Sequence, residues 1–160
     1  NDPIYNAPLA EFKPSALDSR MEEPFDHFVL AQEPIYDLVR AELQAGKKKS
    51  HWMWFIFPQI TGLGRSPLAQ QFAIASIQQA NEYLNDPILG PRLIKCARLL
   101  LEHTDKTATQ ILGTPDDVKL QSSMTLFALC DREETVFNEV LDAFYDGQRC
   151  RLTTSFGNLG

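Results

Sequence analysis

The sequence predicts an all-α fold, a single compact domain of about six to seven helices. Apolar residues recur at spacings of three and four over several stretches, which is the period of a helix with one buried face. Most of these stretches follow a helix-start signal. The signal is a hydroxyl or carboxylate residue that stands before a proline, or three positions before a glutamine or glutamate. No stretch shows the sustained alternation of a β-strand.

The first predicted helix begins near Phe25 and ends at Gly46, a typical C-terminal stop. Pro34 should kink or divide it, because proline has no amide hydrogen and its ring collides with the preceding turn. Pro67 should begin the next helix, since a serine N-cap precedes it and proline favours the first helical position. This helix is expected to stop near residues 85–87.

Further helices are predicted from start signals and apolar stripes in the second half of the chain. Thr107 and Gln110 form a capping box, and Thr114 is a cap residue placed before Pro115. These helices span about 91–102, 107–113, 115–129 and 131–147.

The two ends of the chain differ from this pattern. Residues 1–24 hold four prolines among scattered apolar residues and are predicted to be an extended arm or an added extension. Residues 25–147 form the predicted helical domain. Residues 148–160 show weak periodicity and are predicted to be an irregular C-terminal tail.

The composition is typical of a soluble globular protein, and we expect a cytoplasmic location without membrane contact. A chain of 160 residues suits one domain, and its longest apolar run is far shorter than the roughly 18 residues of a membrane span. The three cysteines are odd in number and widely spaced, which indicates a reduced protein without structural metal. We predict neither a metal nor a cofactor.

The net charge of −6 disfavours nucleic acid as a partner, because proteins that bind phosphate backbones neutralise many phosphates with lysine and arginine. A local basic cluster can still bind one small anion. One such cluster, Lys47 to Lys49, runs straight into an apolar segment with both tryptophans, Trp52 and Trp54. Burying both indoles would contribute roughly 10 kcal/mol, so the domain should pack around this segment.

Three strings of residues recur in order in a bacterial protein family. They are Ser50-His51-Trp52-Met53-Trp54-Phe55-Ile56-Phe57-Pro58-Gln59, Gly62-Leu63-Gly64-Arg65-Ser66-Pro67 and Pro115-Asp116-Asp117-Val118-Lys119-Leu120-Gln121-Ser122-Ser123-Met124-Thr125-Leu126-Phe127. In these strings the chain resembles the family known as domain of unknown function 1810. The resemblance covers about residues 25–147. It implies a compact multihelical domain and no established activity, because the family is uncharacterised.

The loop before Pro67 is a candidate anion site. Gly64, Arg65 and Ser66 combine backbone amides, a guanidinium that can grip a phosphate or carboxylate at two points, and a helix N-cap. Lys47 to Lys49 could add charge to the same pocket, and Lys49 is the candidate ligand contact among them. The alternatives are an ordinary capped loop and a solvated basic turn.

The aromatic segment offers contacts for a ligand ring. Trp52 and Trp54 are candidate stacking surfaces, and Gln59 is a candidate amide contact. His51 is the candidate acid or base, because nearby lysines and burial would both favour its neutral form. Core packing of the indoles, and a histidine bound only to a backbone carbonyl, are the alternatives.

The helix after residue 115 supplies polar groups along one side. Asp116, Lys119 and Ser123 are predicted to share that side, while Leu120 and Met124 belong to the buried stripe. Asp116 is the second candidate catalytic residue, and Lys119 and Ser123 are candidate ligand contacts. In the alternative interpretation, Asp116 only complements the helix dipole and Lys119 is only solvated.

Two functions fit these residues. The first is a small enzyme or binder that acts on a nucleotide-like anionic ligand, such as ADP-ribose or a nucleotide derivative. Its anion would lie at Arg65 and its ring against Trp52 or Trp54. The second is a protein-interaction module that binds a protein partner through an exposed aromatic patch. No nucleophilic-serine motif occurs, and the sequence leaves open whether the protein is an enzyme.

Overall fold

The structure, a computed structural model that describes residues 24–159, is all-α over that range. Ten α-helices and one 3₁₀ turn follow one another there, where six to seven helices were expected, and no described residue belongs to a β-strand. The helices are α1 (Asp26–Gln32), α2 (Tyr36–Ala45), α3 (Met53–Ile56), α4 (Pro67–Gln71), α5 (Ile77–Asn85), α6 (Leu89–Leu100, continued by the 3₁₀ turn Leu101–His103), α7 (Ala108–Leu112), α8 (Asp116–Ala128), α9 (Val136–Tyr145) and α10 (Arg151–Leu159). Apart from Pro24, the predicted arm at residues 1–24 lies outside the described residues.

The long helix predicted from Pro67 is two helices. α4 ends after about one turn because Ile74 leaves the helical path and pairs with Ile60 in an isolated parallel β-bridge. Ser76 then begins α5 by accepting a hydrogen bond from Gln79 N at 3.1 Å. A contact between residues distant in sequence thus overrides the local helical pattern.

Two further helices were not predicted. One is the single turn α3 inside the apolar segment, and the other is α10, which lies where an irregular tail was expected. α10 packs against α8, and two hydrogen bonds join the residues just before α10 to α8. Cys150 N donates to Thr125 Oγ1 at 2.9 Å, and Gln121 Nε2 donates to Gln148 O at 2.9 Å. These tertiary contacts order a segment whose own periodicity is weak.

The structure confirms one of the predicted helix-start signals and contradicts another. The capping box of Thr107 and Gln110 is confirmed, and it begins α7. The cap expected at Thr114 is wrong, because its hydroxyl donates to the Asp117 carboxylate at 3.2 Å and α8 begins one residue later than expected. The last long helix begins at Val136, whose amide donates to Glu134.

The core is built around α6 and α8. α8 contacts α5, α7, α9 and α10, and α6 contacts α2, α5 and α9. The apolar segment lies within this core as predicted, with Trp52 and Phe57 almost completely buried. Because other helices cover one side of α8, three of its polar side chains are buried as well, namely Ser122, Ser123 and Thr125. Within residues 24–159 no helix is both long and apolar enough to cross a membrane.

The loop between α3 and α4 is held tightly against two helices. A Cβ on Gly64 would lie 2.4 Å from Ala69 Cβ of α4, so only glycine fits this close approach. Gly62 has a φ of +102°, which favours glycine, and a Cβ there would lie 3.2 Å from the ring of Phe156 in α10. The glycines therefore bring the loop, α4 and α10 together around one opening.

Candidate functional site

A cleft of about 390 Å³ opens where this loop, α4 and the first turns of α8 and α10 meet. The residues that line it come from four separate stretches of the chain. They are Trp54, Gln59, Leu63, Gly64, Arg65, Ser66, Ala69, Pro115, Val118, Lys119, Ser122, Cys150 and Leu152. Small-molecule sites commonly have volumes of roughly 300–1,000 Å³, so the cleft is large enough for a small ligand.

Several of the predicted ligand-binding residues line this one cleft. Three of the four stretches contribute them, and the fold brings these stretches together. The predicted residues at the cleft are Trp54, Gln59, Gly64, Arg65, Ser66 and Lys119. Ligand binding by these residues stays a prediction.

An ion-pair cluster sets the charge on one wall of the cleft. Lys119 Nζ lies 4.7 Å from the centre of the Trp54 ring, a cation–π contact. Asp116 joins two lysines, because its Oδ1 lies 3.7 Å from Lys119 Nζ and its Oδ2 lies 2.8 Å from Lys48 Nζ. Two ammonium groups thus face one carboxylate, and the cluster keeps a net positive charge. Asp116 itself does not line the cleft, and its contacts position Lys119.

Glu42 anchors the segment that carries Lys48 and Trp52. Its Oε1 accepts hydrogen bonds from Lys49 N at 2.8 Å, Ser50 N at 3.0 Å and Trp52 Nε1 at 3.0 Å. Its Oε2 accepts one from Ser50 Oγ at 2.7 Å. Burial raises the pKa of this carboxyl, but the hydrogen bonds from Ser50, Lys49 and Trp52 outweigh it, so the pKa of Glu42 lies below its usual value. The ionised Glu42 carboxylate therefore holds the turn in which Lys48 forms its ion pair with Asp116.

Trp52 and Ser123 lie away from the cleft. The Trp52 side chain is fully buried, its N–H donates to Glu42, and the Lys48 ammonium lies 5.1 Å from its ring centre. It therefore offers no face for a ligand, and stacking on Trp52 is wrong. Ser123 is also fully buried, because α8 is covered by other helices on that side, so its predicted role as a ligand contact is wrong too.

His51 and Lys49 lie at the surface but do not line the cleft. The side chain of His51 is exposed, whereas burial was expected. Lys49 is exposed as well, and its backbone amide donates to Glu42. The structure therefore does not bring the predicted acid or base to the same opening as Trp54 and Arg65.

The Ser66 cap is confirmed, but the helix that it begins is short. Ser66 Oγ accepts a hydrogen bond from Ala69 N at 3.1 Å, and α4 has five residues. A single turn has little macrodipole, and one of its free amides is already bonded. Positive charge at the cleft therefore comes from the side chains of Arg65 and Lys119.

Sequence reasoning missed two residues that shape the site, namely Glu42 and Cys150, and from the basic cluster it chose Lys49 rather than Lys48. Lys48, and not Lys49, forms the ion pair, since the turn buries its side chain to 7% exposure. Cys150 lines the cleft, where its sulfur accepts a hydrogen bond from Ser122 Oγ at 3.3 Å. The one local sign in the sequence was that an arginine stands on each side of this cysteine.

The described residues hold no arrangement suited to metal binding. Between residues 24 and 159, no group of three or more His, Cys, Asp or Glu side chains lies close enough to bind one ion. The polar groups at the cleft are instead cations, an amide and hydroxyls, contributed by Arg65, Lys119, Gln59, Ser66 and Ser122. Such groups complement an anion.

Over residues 24–159, fold and cleft define a small all-α domain with an opening lined by cations and an indole. The chain belongs to the family described as "Protein of unknown function (DUF1810)", whose profile matches residues 22–156. The match extends past the expected end at residue 147 and includes Cys150. The family assigns no activity to the cleft.

A solved structure supports the fold. The crystal structure of the conserved hypothetical protein Rv1873 from Mycobacterium tuberculosis, at 1.38 Å, is similar to this chain with 44% sequence identity and a TM-score of 0.84. The match covers 86% of this chain and 100% of that chain. Among curated proteins, none matches this sequence.

Proposed function

We propose that the cleft binds a small nucleotide-like anion, such as ADP-ribose or a nucleotide derivative. One observation carries the proposal: the Arg65 guanidinium, the Lys119 ammonium and the Trp54 indole all line the same opening. A ligand with a negative group and a flat ring matches these three side chains in charge and in shape.

The two cations would hold the phosphates. Arg65 is exposed and Lys119 is partly exposed, so water screens both charges. A charge-assisted hydrogen bond in such a place contributes about 1.5–3 kcal/mol. Two such contacts give about 3–6 kcal/mol, which corresponds to an affinity on the order of tens of micromolar to several millimolar and is suited to an abundant small metabolite.

The remaining lining residues would hold the sugar and the base. Lys119 covers part of the Trp54 ring, so a ligand ring would stack on what is left of the indole or displace the ammonium. Val118 is 57% exposed and Leu152 is 61% exposed, and both border the cleft. Their apolar side chains would cover a base, and Gln59 would donate to or accept from its polar edge.

The proposal is limited to binding. Asp116 is engaged by two lysines, and His51 is not among the residues that line the cleft. Neither of the two candidate catalytic residues is therefore placed to act on a ligand in this opening. A hydrolytic or transfer activity at the cleft would need other groups.

A tryptophan-fluorescence titration with ADP-ribose, AMP and adenosine tests the proposal. We expect saturable changes with the two phosphorylated compounds and weaker binding of adenosine, which lacks a phosphate. Replacing Arg65 by Ala should raise the Kd roughly tenfold to a hundredfold, since one charge-assisted contact is lost. Lys95→Ala is the matched control, because Lys95 is an exposed cation on α6 that does not line the cleft.

The proposal fails if none of the three compounds changes the emission or the melting temperature. It also fails if Lys95→Ala weakens binding as much as Arg65→Ala, because the effect would then reflect net charge alone.

A protein-interaction module is the second candidate, and one observation favours it. Val118, Leu152 and Phe156 are exposed apolar side chains on α8 and α10, and such groupings mark docking surfaces. Leu152→Asp should then abolish capture of a protein partner, whereas Arg65→Ala should leave that capture unchanged. Two of these three exposed side chains, Val118 and Leu152, are aliphatic, whereas an aromatic patch was expected.

A further inference from the structure

Cys150 lies where a thiol can meet a bound molecule. It directly precedes α10, and its side chain is partly exposed on the 390 Å³ cleft. A second hollow of about 710 Å³, lined by Gln121 and by residues 148–152, also includes it. The sulfur is thus accessible from solvent, unlike the sulfurs of the other two cysteines, Cys96 and Cys130, which are buried.

Hydroxyl groups surround the sulfur. Ser122 Oγ lies 3.3 Å from Cys150 Sγ and 3.3 Å from Val118 O, so its one hydrogen can go to either acceptor. Thr153 Oγ1 is fully buried and makes no hydrogen bond of ordinary geometry with any residue between 24 and 159, although the sulfur is within its reach. A buried hydroxyl without an acceptor is unfavourable. An ionised sulfur, which is a better acceptor than a thiol, would provide one.

The three thiols differ in acidity. Burial raises the pKa of Cys150, but the polar groups near its sulfur, namely the Ser122 and Thr153 hydroxyls and the Thr153 and Leu152 amides, outweigh it and lower the pKa below the ordinary value. Burial raises the pKa of Cys96 to about 12 and that of Cys130 to about 11. Near neutral pH, Cys150 therefore carries the largest thiolate fraction of the three.

The charges around the sulfur indicate which reagents would reach it. Arg151 follows Cys150 and is exposed, and Arg149 precedes it and donates to Asn138. Arg65 lines the same cleft. Cations on both sides favour the approach of a reagent that carries negative charge.

We propose that Cys150 is a nucleophilic thiol of the cleft that forms mixed disulfides with small disulfides bearing carboxylates. Its proton passes to solvent, and the sulfur attacks one sulfur of the incoming disulfide. The new sulfur–sulfur bond forms as the old one breaks, and the other half leaves as a thiolate with the electron pair. The reaction needs no oxidant besides the disulfide. It goes beyond nucleotide binding and does not depend on it.

Dithiobisnitrobenzoate, an aromatic disulfide with a carboxylate on each ring, is the probe. The full folded chain should release one equivalent of nitrothiobenzoate in a fast phase, and the pH midpoint of its rate should lie below that of an ordinary thiol, about 8.5. Cys150→Ser should remove the fast phase. Cys96 and Cys130 should react only after unfolding. A fast phase that survives in Cys150→Ser, or a midpoint at or above that of an ordinary thiol, overturns the proposal.

Two threonine variants separate a role at the sulfur from a structural one. Thr153→Val should raise the midpoint and slow the reaction several-fold at neutral pH, because a donor to the thiolate is lost. Thr154→Val is the matched control, since the Thr154 hydroxyl bonds the backbone carbonyl of Cys150 and not its sulfur. Equal effects of both variants would contradict the role of the hydroxyl. If Thr153→Val does not fold, Ser122→Ala takes its place with the same expectation.

The charge preference has its own test. The rate with dithiobisnitrobenzoate is divided by the rate with neutral dithiodipyridine, and the same ratio is measured for free cysteine. We expect the ratio for the protein to exceed that for free cysteine several-fold and to fall in Arg65→Ala. Equal ratios for protein and free cysteine would overturn the assignment to anionic disulfides.

Discussion

At the scale of single residues, Glu42 controls the placement of the charged groups beside the cleft. Its carboxylate accepts four hydrogen bonds from three residues of one turn, Lys49, Ser50 and Trp52. That turn also places Lys48 against Asp116. Because three of the four donors are N–H groups that cannot accept, an ionised carboxylate suits this position best.

Replacing Glu42 by Gln should therefore destabilise the protein markedly. The amide oxygen can keep the three N–H donors and its NH₂ can donate to the Ser50 hydroxyl, but the negative charge that strengthens all four hydrogen bonds is lost, so we expect a loss of about 1–3 kcal/mol in the free energy of unfolding. Urea denaturation at neutral pH measures it. Glu82→Gln on the exposed side of α5 is the control and should change the stability by less than about 0.5 kcal/mol. Equal losses would show that the hydrogen-bond network is not the cause.

The pH dependence of this difference follows from the lowered pKa of Glu42. The pKa is lower in the folded chain than in the unfolded chain, so ionisation stabilises the fold above about pH 4.3, the ordinary value of a glutamate. That contribution is lost as the pH falls through the folded pKa. The stability gap between the wild type and Glu42→Gln should be constant near neutral pH and narrow in acid. A stability gap that widens in acid would contradict the conclusion that ionised Glu42 stabilises the fold.

At the scale of elements, the contact between the α3–α4 loop and α4 sets the shape of the cleft. Gly64 approaches Ala69 so closely that a methyl group on Gly64 would overlap it. Gly64→Ala should cost about 1–3 kcal/mol in stability, because loop and helix must separate, and it should weaken binding of AMP.

A double-mutant cycle tests this contact. Ala69→Gly alone should cost about 1 kcal/mol from helix propensity. In the double variant the Gly64→Ala cost should be smaller, because the overlapping methyl group is gone. Both stability, from urea denaturation, and AMP affinity are measured. Strict additivity of the two changes in stability would mean that the contact does not restrain the loop.

The elements also show what the sequence could predict. Helix starts such as the Thr107–Gln110 box are local signals, and the structure confirms this one. α10 could not be predicted, since Cys150 and Gln148 bond to Thr125 and Gln121 of α8 rather than to near neighbours. Local periodicity contains no information about such partners.

At the scale of the whole molecule, residues of the same type that lie close together in the sequence differ in burial and in whether they line the cleft. Trp52 and Trp54 stand two positions apart, yet the first is fully buried and the second lines the cleft. Ser122 and Ser123 are adjacent on α8, yet Ser122 lines the cleft and Ser123 does not. The all-α class was predictable from local patterns, whereas the choice between such neighbours depends on which helices cover them.

The convergence of Trp54, Arg65 and Lys119 on one ligand-binding cleft is the central claim. The two indole N–H resonances in a nitrogen-15 spectrum test it most directly, because Trp52 is an internal control whose N–H is bonded to Glu42 in the core. On titration with ADP-ribose, we predict a saturable shift of the Trp54 resonance and little change in the Trp52 resonance. No shift of either resonance, or an equal shift of both, would contradict the account.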